Sequence, residues 1–302
     1  MKSIWPMHRH KDNSICPTSA ILNISYYNSN MELKPHDRKR IAKRMIERVS
    51  DFERGIMWKI WAHTEEYKER SPRGLYTHLV NFNMCEHDAA IKNDVNRTFP
   101  NHSVFNESNY TQQILFNVLR AYAMYNPDVG YCQGMAFIAG MLVIYMDEED
   151  AFYTMISVME KHDINKFFLP QMKHLEKYCH VLDLYLNRKM NQLYLHLQKN
   201  NVNTKIIASQ WFLTLFTYSF SVETAAILWD AILAMEDNYV LSIAVAIFKL
   251  LEGILINAKQ DELQDILKDL TPYVSARVIL RHIDKQKYQK ETTKLFKHYY
   301  QK

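Results

Sequence analysis

Residues 126–146 read Asn-Pro-Asp-Val-Gly-Tyr-Cys-Gln-Gly-Met-Ala-Phe-Ile-Ala-Gly-Met-Leu-Val-Ile-Tyr-Met, and this stretch decides how the rest of the chain is interpreted. Pro127 and Gly130 predict a turn, and the uncharged apolar run that follows predicts a buried helix. Gly130 and Gly134, two of only six glycines, lie on either side of Gln133. Glycine lets a neighbouring chain approach closely and adopts dihedral angles that other residues avoid. An amide in this position suits an apolar core poorly, so Gln133 is a candidate functional residue.

The composition is typical of a soluble globular protein with many helices. The chain has 302 residues, enough for one large domain or two smaller ones with a substantial core. Hydrophobic residues make up 48% and charged residues 23%, which are ordinary proportions. Only six glycines and eight prolines stand beside nineteen tyrosines and fifteen methionines. This ratio indicates long helices and few tight turns.

The distribution of charge and the spacing of the cysteines limit the kinds of partner and metal site that the chain can have. The formal net charge is +4, but residues 1–50 carry ten Lys/Arg and four Asp/Glu, so the remaining residues are slightly acidic. We interpret this basic segment as a solvated tail, with contact to nucleic acid or to an anionic membrane as the alternative. We therefore predict no nucleic-acid partner. The four cysteines form no Cys-x-x-Cys pair, which predicts neither a metal site nor a disulfide framework and suits a reducing compartment.

Two apolar runs raise the question of a membrane span. Residues 129–146 are nearly free of charge but end in four acidic residues, and residues 239–256 are interrupted by Lys249 and Glu252. Both are better interpreted as core helices of a large helical domain, so no transmembrane segment is predicted. The first ten residues show no apolar segment, which predicts no secretory signal.

Hydrophobic spacing predicts a single all-α domain over residues 34–302, preceded by a flexible tail at 1–33. No long stretch alternates with period two, and no repeat of the solenoid type is visible. A polar loop is expected at 101–109, and the basic end of the chain, 273–302, is expected to be helical and amphipathic. Beyond a first helix after residue 35, the predicted helical segments are 52–61, 75–82, 86–96, 114–122, 148–159 with Asp147 as N-cap, 175–186, 191–199, 206–218, 225–232, 239–256 and 263–267.

A second unusual stretch, residues 91–100, reads Ile-Lys-Asn-Asp-Val-Asn-Arg-Thr-Phe-Pro. On a helix, Ile91, Asp94 and Arg97 face the same side, so Asp94 can hold the guanidinium of Arg97 where the helix ends. A guanidinium fixed in this way is already oriented, and its planar fork suits phosphate. The alternative is an ordinary surface ion pair, worth well under about 1 kcal/mol.

Arg97 and Gln133 are more informative together than apart. An arginine can neutralise charge that develops on phosphoryl oxygens, and a carboxamide can orient the attacking water, which are the two requirements for stimulating nucleotide hydrolysis. The chain has no Gly-x-x-x-x-Gly-Lys-Ser/Thr loop, so the nucleotide would come from a partner. The alternative for Gln133 is a buried amide that neighbouring backbone groups satisfy.

Three motifs resemble those of the TBC domain family, the GTPase-activating proteins of Rab small GTPases. Residues 54–58, Arg-Gly-Ile-Met-Trp, are similar to the first motif, whose Arg and Trp support the catalytic loop. Residues 91–97, Ile-x-x-Asp-x-x-Arg, are similar to the second, which supplies an arginine finger. Residues 131–133, Tyr-Cys-Gln, are similar to the third, which supplies a glutamine finger. The resemblance extends in the same order over about residues 50–270.

The segments around these motifs resemble the family as well, with one departure. The similar segments are Arg-Thr-Phe-Pro at 97–100, Asn-Pro-Asp-Val-Gly at 126–130, Ser-Gln-Trp-Phe-Leu-Thr-Leu-Phe at 209–216 and Leu-Trp-Asp at 228–230. The family often has an arginine two positions before the tryptophan of its Trp-Asp pair, and this chain has Ile227 there. We expect local packing or partner contacts to change at Ile227 while both fingers are retained.

The resemblance implies a TBC-type fold and a GTPase activator that is not an enzyme on its own. It implies that Arg97 and Gln133 enter the nucleotide site of a GTP-bound Rab in trans and that GTP and magnesium arrive with the Rab, so no cofactor is bound by this chain. Vesicle trafficking in the cytoplasm, with peripheral contact to endomembranes, is the expected setting. The expected supporting and Rab-binding residues are Arg54, Trp58, Ile91, Asp94, Asn126, Asp128 and Tyr131, of which Tyr131 and Trp58 would shape the Rab-facing groove.

Two other functions remain open at this point. A non-catalytic Rab-binding scaffold or adaptor would bind a GTP-loaded Rab and leave its hydrolysis rate unchanged. An unrelated helical scaffold of repeat type would show no GTP-dependent binding, but the missing repeat period counts against it.

Overall fold

The computed structural model describes residues 49–106, 109–235, 239–286 and 288–299. Over these residues the regular secondary structure is helical and there is no strand, which confirms the all-α fold class. The predicted tail at 1–33 and the first helix after residue 35 lie outside the described residues. The helices are α1 Asp51–Ala62, α2 Thr64–Arg70, α3 Leu75–Val80, α4 Asp88–Val95, α5 Ser103–Asn106, α6 Asn109–Tyr125, α7 Met135–Tyr145, α8 Glu148–Lys161, α9 Lys173–Lys189, α10 Asn191–Lys199, α11 Thr204–Leu213, α12 Val222–Ala234, α13 Tyr239–Asn257, α14 Gln260–Lys268, α15 Ala276–Lys285 and α16 Tyr288–Tyr299, with a 3₁₀ turn at Ile164–Phe167.

Several predicted bounds differ from the structure, most clearly in two segments. The loop expected at 101–109 contains the short helix α5. The helix predicted over 206–218 ends at Leu213, because Leu215 and Phe216 have φ angles of 46° and 69°. These left-handed conformations cannot continue a right-handed helix, and they cost on the order of 1–3 kcal/mol each. Both side chains are fully buried, so packing holds the backbone in this conformation.

The second apolar run and most of the first form helices of the core, whereas residues 129–134 of the first run lie in the loop before α7. Helix α7 packs between α6, α8 and α1, and most of its residues are buried. Helix α13 packs against α9, α10, α15 and α16. By length and composition alone α13 could cross a membrane, but 67% of its apolar window is buried inside the protein. The structure therefore agrees with the prediction that both runs contribute core helices.

A buried ion pair joins the beginning of the domain to α12. Arg54 Nε in α1 donates to both carboxylate oxygens of Asp230, at 3.1 and 3.2 Å. One turn further along α1, Trp58 Nε1 donates to Asp230 Oδ1 at 2.9 Å. The Trp58 ring packs beside Tyr145 at the end of α7 and beside Trp229 in α12, with ring centroids 4.7 and 5.3 Å apart. Helices α1, α7 and α12 are thus fixed to one another through a few buried side chains.

We predict that Asp230→Asn destabilises the fold by about 3–5 kcal/mol, because it keeps the shape of the side chain but removes the buried counter-charge of Arg54 and leaves only the exposed carboxylate of Asp51. Urea denaturation followed by circular dichroism measures the change. The control is Asp51→Asn, which removes the other carboxylate bound to Arg54; the Asp51 side chain is 81% exposed. This control should cost about 1 kcal/mol or less. Equal losses in the two variants would contradict the assignment.

Candidate functional site

The guanidinium of Arg97 is held by Asp94 at the end of α4. Arg97 Nε donates to Asp94 Oδ1 at 2.8 Å, and Arg97 Nη2 lies 2.7 Å from the same oxygen. The Asp94 side chain is 12% exposed, whereas that of Arg97 is 54% exposed. The guanidinium is therefore fixed on its inner side and open to solvent on its outer side. This arrangement agrees with the pairing predicted from the spacing of the two residues.

The second carboxylate oxygen of Asp94 accepts a hydrogen bond from the loop that carries Gln133. Tyr131 Oη donates to Asp94 Oδ2 at 2.6 Å. Burial and the neighbouring carboxylate of Asp94 raise the pKa of Tyr131 well above its ordinary value, so the phenol stays protonated and remains a donor. Gln133, two residues further along the chain, is exposed. One carboxylate therefore joins the loops that carry Arg97 and Gln133.

The turn before Gln133 is shaped by Gly130 and Asn126. Gly130 has a φ of 58°, and its N–H donates to the carbonyl oxygen of Asn126 at 2.8 Å. A Cβ atom at Gly130 would overlap the imidazole of His87, so the turn lies against the segment that leads into α4. The side chain of Asn126 accepts from Val129 N at 3.4 Å, in line with its expected supporting role. Asp128 is exposed in the same turn, and no hydrogen bond from its side chain to a described residue supports such a role for it.

Gly134 ends this loop and precedes α7. Its φ is 106°, a conformation that an L-residue with a side chain rarely adopts. A Cβ atom there would lie 3.3 Å from the carbonyl oxygen of Leu213, the last residue of α11. Gln133 is thus presented from a loop whose backbone path both glycines determine. The sequence predicted their proximity to Gln133 but not the neighbours that enclose them.

Aromatic packing holds the segment after Arg97 on α7. Phe99 is buried with a φ of 47°, and its ring packs edge-on to Phe137 in the first turn of α7, with centroids 5.4 Å apart. Gly140 leaves the space for this contact, since a Cβ atom there would lie 2.9 Å from Phe99 Cε2 and 3.1 Å from Thr98 Cγ2. Sequence reasoning missed the role of Gly140, although a lone glycine within an apolar helix was the available signal.

The remaining predicted residues support the site from inside the domain. Ile91 is fully buried on α4, which packs against α6 and α7. Arg54 and Trp58 are buried in the cluster with Asp230. Trp58 packs on Tyr145, at the end of α7 opposite to the Gln133 loop. Trp58 has no exposed surface, so it can influence a partner-facing groove only through the side chains that pack on it, and its role in shaping that groove stays a prediction. Ile227, the departure from the family pattern, is half-buried on α12.

The site offers charge and hydrogen bonding rather than a nucleophile. Cys132 lies between Tyr131 and Gln133, and burial raises the pKa of its thiol, which disfavours the thiolate. Among the described residues no group of three or more His, Cys, Asp or Glu side chains could hold a metal ion. What the loops present to solvent is a fixed guanidinium and an amide. Such groups can stabilise and orient a reacting group that another molecule brings.

The chain is similar in sequence to one protein family and to several of its members. A family model described as Rab-GTPase-TBC domain matches residues 51–256. The GTPase-activating protein GYP5 of Eremothecium gossypii is 34% identical over 246 residues, which cover 81% of this chain and 28% of that protein. The Rab GTPase-activating protein eat-17 of Caenorhabditis elegans is 30% identical over 221 residues, covering 73% of this chain and 24% of that protein. The chain spans about a quarter of the length of these relatives.

Two solved structures share the fold. The crystal structure of the Chlamydomonas flagellar RabGAP TBC domain aligns with a TM-score of 0.73 at 21% identity, covering 88% of this chain and 91% of that one. The crystal structure of the Ypt/Rab-GAP domain of Gyp1p aligns with a TM-score of 0.69 at 16% identity, covering 93% of this chain and 99% of that one. These alignments confirm the predicted TBC-type architecture.

We predict that Gly140→Ala destabilises the protein by about 1–3 kcal/mol, because the new methyl group must displace Phe99 and Thr98. The matched control is Gly253→Ala in α13, where a Cβ atom meets nothing within 4 Å. This control should stabilise the protein by roughly 0.5–1 kcal/mol through helix propensity. Chemical denaturation of both variants tests the difference, and a Gly140→Ala variant as stable as Gly253→Ala would refute the close contact.

Proposed function

The chain belongs to the family of Rab-GTPase-TBC domains, and we propose that it stimulates GTP hydrolysis by a Rab-family small GTPase. Arg97 and Gln133 would be supplied in trans to the nucleotide that the GTPase holds. The observation that carries this proposal is the carboxylate of Asp94, which binds both Arg97 and Tyr131. Asp94 thus joins the two loops that present the exposed guanidinium of Arg97 and the exposed amide of Gln133.

Arg97 is the proposed arginine finger. As the phosphoryl group transfers, negative charge spreads over its oxygens, and a guanidinium placed beside them lowers the barrier. Asp94 binds the inner side of the guanidinium, while the exposed part of the side chain is available to the phosphates. Because the side chain is already oriented, less conformational entropy is lost when the GTPase docks.

Gln133 is the proposed glutamine finger. Its carboxamide has both a donor and an acceptor, which are the groups needed to orient an attacking water molecule. The loop is restrained on both sides of Gln133, by the hydrogen bond of Tyr131 to Asp94 and by Gly134 against Leu213. In this role Gln133 would replace the water-positioning glutamine of the GTPase itself.

The nucleotide and its magnesium ion would come with the partner. The sequence contains no phosphate-binding loop of its own. The chain is therefore proposed to act as an activator of GTP-bound Rab and not as an enzyme by itself. From the family membership we also propose that the chain regulates vesicle trafficking from the cytoplasm and that its basic segments contact endomembranes peripherally. A non-catalytic Rab-binding adaptor is the alternative, and the retention of both Arg97 and Gln133 weighs against it.

We predict that Arg97→Ala lowers the stimulated hydrolysis rate by about 10³- to 10⁵-fold on a responsive GTPase, since an arginine finger contributes an effect of that size. Gln133→Ala should also reduce the stimulated rate strongly. The measurement is GTP hydrolysis by a panel of Rab GTPases with and without the protein. The control is Arg73→Ala, which removes an exposed arginine from the turn between α2 and α3 and should leave stimulation intact.

The outcomes of this experiment separate the two functions. If the parent chain and both finger variants stimulate a responsive Rab equally, the dual-finger assignment is wrong. If the parent chain binds a GTP-loaded Rab and never changes its hydrolysis rate, the adaptor alternative is correct.

We also predict that Tyr131→Phe lowers the stimulated kcat roughly tenfold, because loss of one hydrogen bond to a charged group frees Asp94 and loosens both loops. Affinity for a Rab loaded with a non-hydrolysable GTP analogue should change little, since the aromatic ring is kept. The control is Tyr185→Phe, which removes a similar hydrogen bond, from Tyr185 Oη to Glu291 Oε2 at 3.1 Å, between α9 and α16. An unchanged kcat for Tyr131→Phe would show that Asp94 orients Arg97 without help from Tyr131.

A further inference from the structure

The 214–221 loop, which connects α11 to α12, has an unusual backbone that two contacts hold in place. The consecutive residues Leu215 and Phe216 both have left-handed φ angles and fully buried side chains. Trp229 Nε1 in α12 donates to the carbonyl oxygen of Leu215 at 3.1 Å. Thr217 Oγ1 donates to the carbonyl oxygen of Thr214 at 2.6 Å. Backbone conformations of this kind in non-glycine residues concentrate at functional sites, where the surrounding structure enforces them.

The far end of the 214–221 loop is fixed as well. The carbonyl oxygen of Ser219 accepts from Leu270 N at 2.8 Å, and Ser221 N donates to Thr271 Oγ1 at 2.8 Å. Tyr218 lies between Thr217 and Ser219, whose hydrogen bonds hold the two halves of the loop. Its position on the surface is therefore set by the backbone on both sides and not by free rotation of the loop.

Tyr218 is the exposed member of this rigid loop. Its neighbours Thr217 and Ser219 are buried, whereas Tyr218 is 39% exposed. The ring packs edge-on to Phe137, with centroids 5.5 Å apart, and Phe137 packs in turn on Phe99. Phe137 lies in the first turn of α7 directly after the Gln133 loop, and Phe99 follows Arg97 by two residues. Tyr218 is thus the outer end of a row of three rings that joins the two finger loops.

We propose that the exposed face of Tyr218 contacts the GTPase next to the nucleotide site and contributes to binding affinity and to the choice of GTPase. This inference rests on the proposed function, because the occupant is the GTP-bound protein that receives Arg97 and Gln133. A stable protein interface buries about 800 Å² on each partner, an area far larger than two finger side chains. A partner that reaches both fingers covers the surface beside them, where Tyr218 lies. A tyrosine held rigidly in such a place is a typical anchor, since it buries a large ring with little loss of entropy.

A purely structural role for Tyr218 makes different predictions. If the ring served only to support Phe137, its loss would loosen both finger loops, lowering kcat and the unfolding temperature together. A docking role instead affects recognition of the GTPase and leaves the catalytic step intact. The ratio of the two kinetic parameters therefore distinguishes the roles.

The experiment measures stimulated GTP hydrolysis at increasing concentrations of a responsive, GTP-loaded Rab. For Tyr218→Ala we expect KM to rise about tenfold while kcat stays within about twofold of the parent. Tyr218→Phe should behave as the parent, because the ring is kept. Tyr218→Gln, which keeps a side chain of moderate size over Phe137, is the second variant if the alanine variant fails to fold. Titration with Rab bound to a non-hydrolysable GTP analogue should show the same loss of affinity.

The control is Tyr194→Ala, which removes a half-buried tyrosine from α10, a helix that packs against α9 and α13. It should leave both KM and kcat unchanged. An unchanged KM for Tyr218→Ala, or a fall in kcat together with a lower unfolding temperature, would overturn the docking role. If the parent chain stimulates no member of the panel, the proposed function fails first, and this inference fails with it.

Discussion

The carboxylate of Asp94 is the interaction on which the geometry of the site depends. One oxygen binds the guanidinium of Arg97 and the other accepts the phenol of Tyr131, so each oxygen serves a different loop. The carboxylate is nearly buried, which strengthens both hydrogen bonds by excluding water. An arginine and a glutamine on independent surface loops would each lose conformational freedom on meeting a substrate. Because Asp94 binds the guanidinium of Arg97 and, through Tyr131, restrains the backbone next to Gln133, less of that freedom remains to be lost.

Packing inside the domain holds α4, which carries Asp94, against α7. Gly140 lets the segment after Arg97 lie directly against α7, the helix that begins after the Gln133 loop. At its other end α7 contacts the cluster of Arg54, Trp58 and Asp230, where a buried charge is satisfied by two donors. A buried ion pair of this kind contributes less to stability than a similar apolar contact, but it penalises every arrangement that separates its members. The cluster thus specifies the arrangement of α1, α7 and α12.

Three of the eight non-glycine residues with positive φ angles in the described part of the chain lie close to the loops that carry Arg97 and Gln133. Phe99, Leu215 and Phe216 have left-handed conformations although none is glycine, and each is buried against its neighbours. Sequence patterns favoured a continuous helix through Leu215 and Phe216, and the structure departs from it there. Places where local preference fails although the fold is otherwise consistent are often functional. Here the departure places Tyr218 beside Phe137, at the edge of the proposed GTPase-binding surface.

Features that depend on short spacing along the chain could be predicted from the sequence. Helical periodicity predicted the all-α domain and most of its helices, and the spacing of Asp94 and Arg97 predicted their ion pair because three residues span about one helical turn. Contacts between groups that are distant in the sequence depend on the tertiary fold. Tyr131 reaches Asp94 across 37 residues, and Trp58 reaches Asp230 across 172, which also buries Trp58. Such pairings follow from how whole helices pack, and no local pattern encodes that geometry.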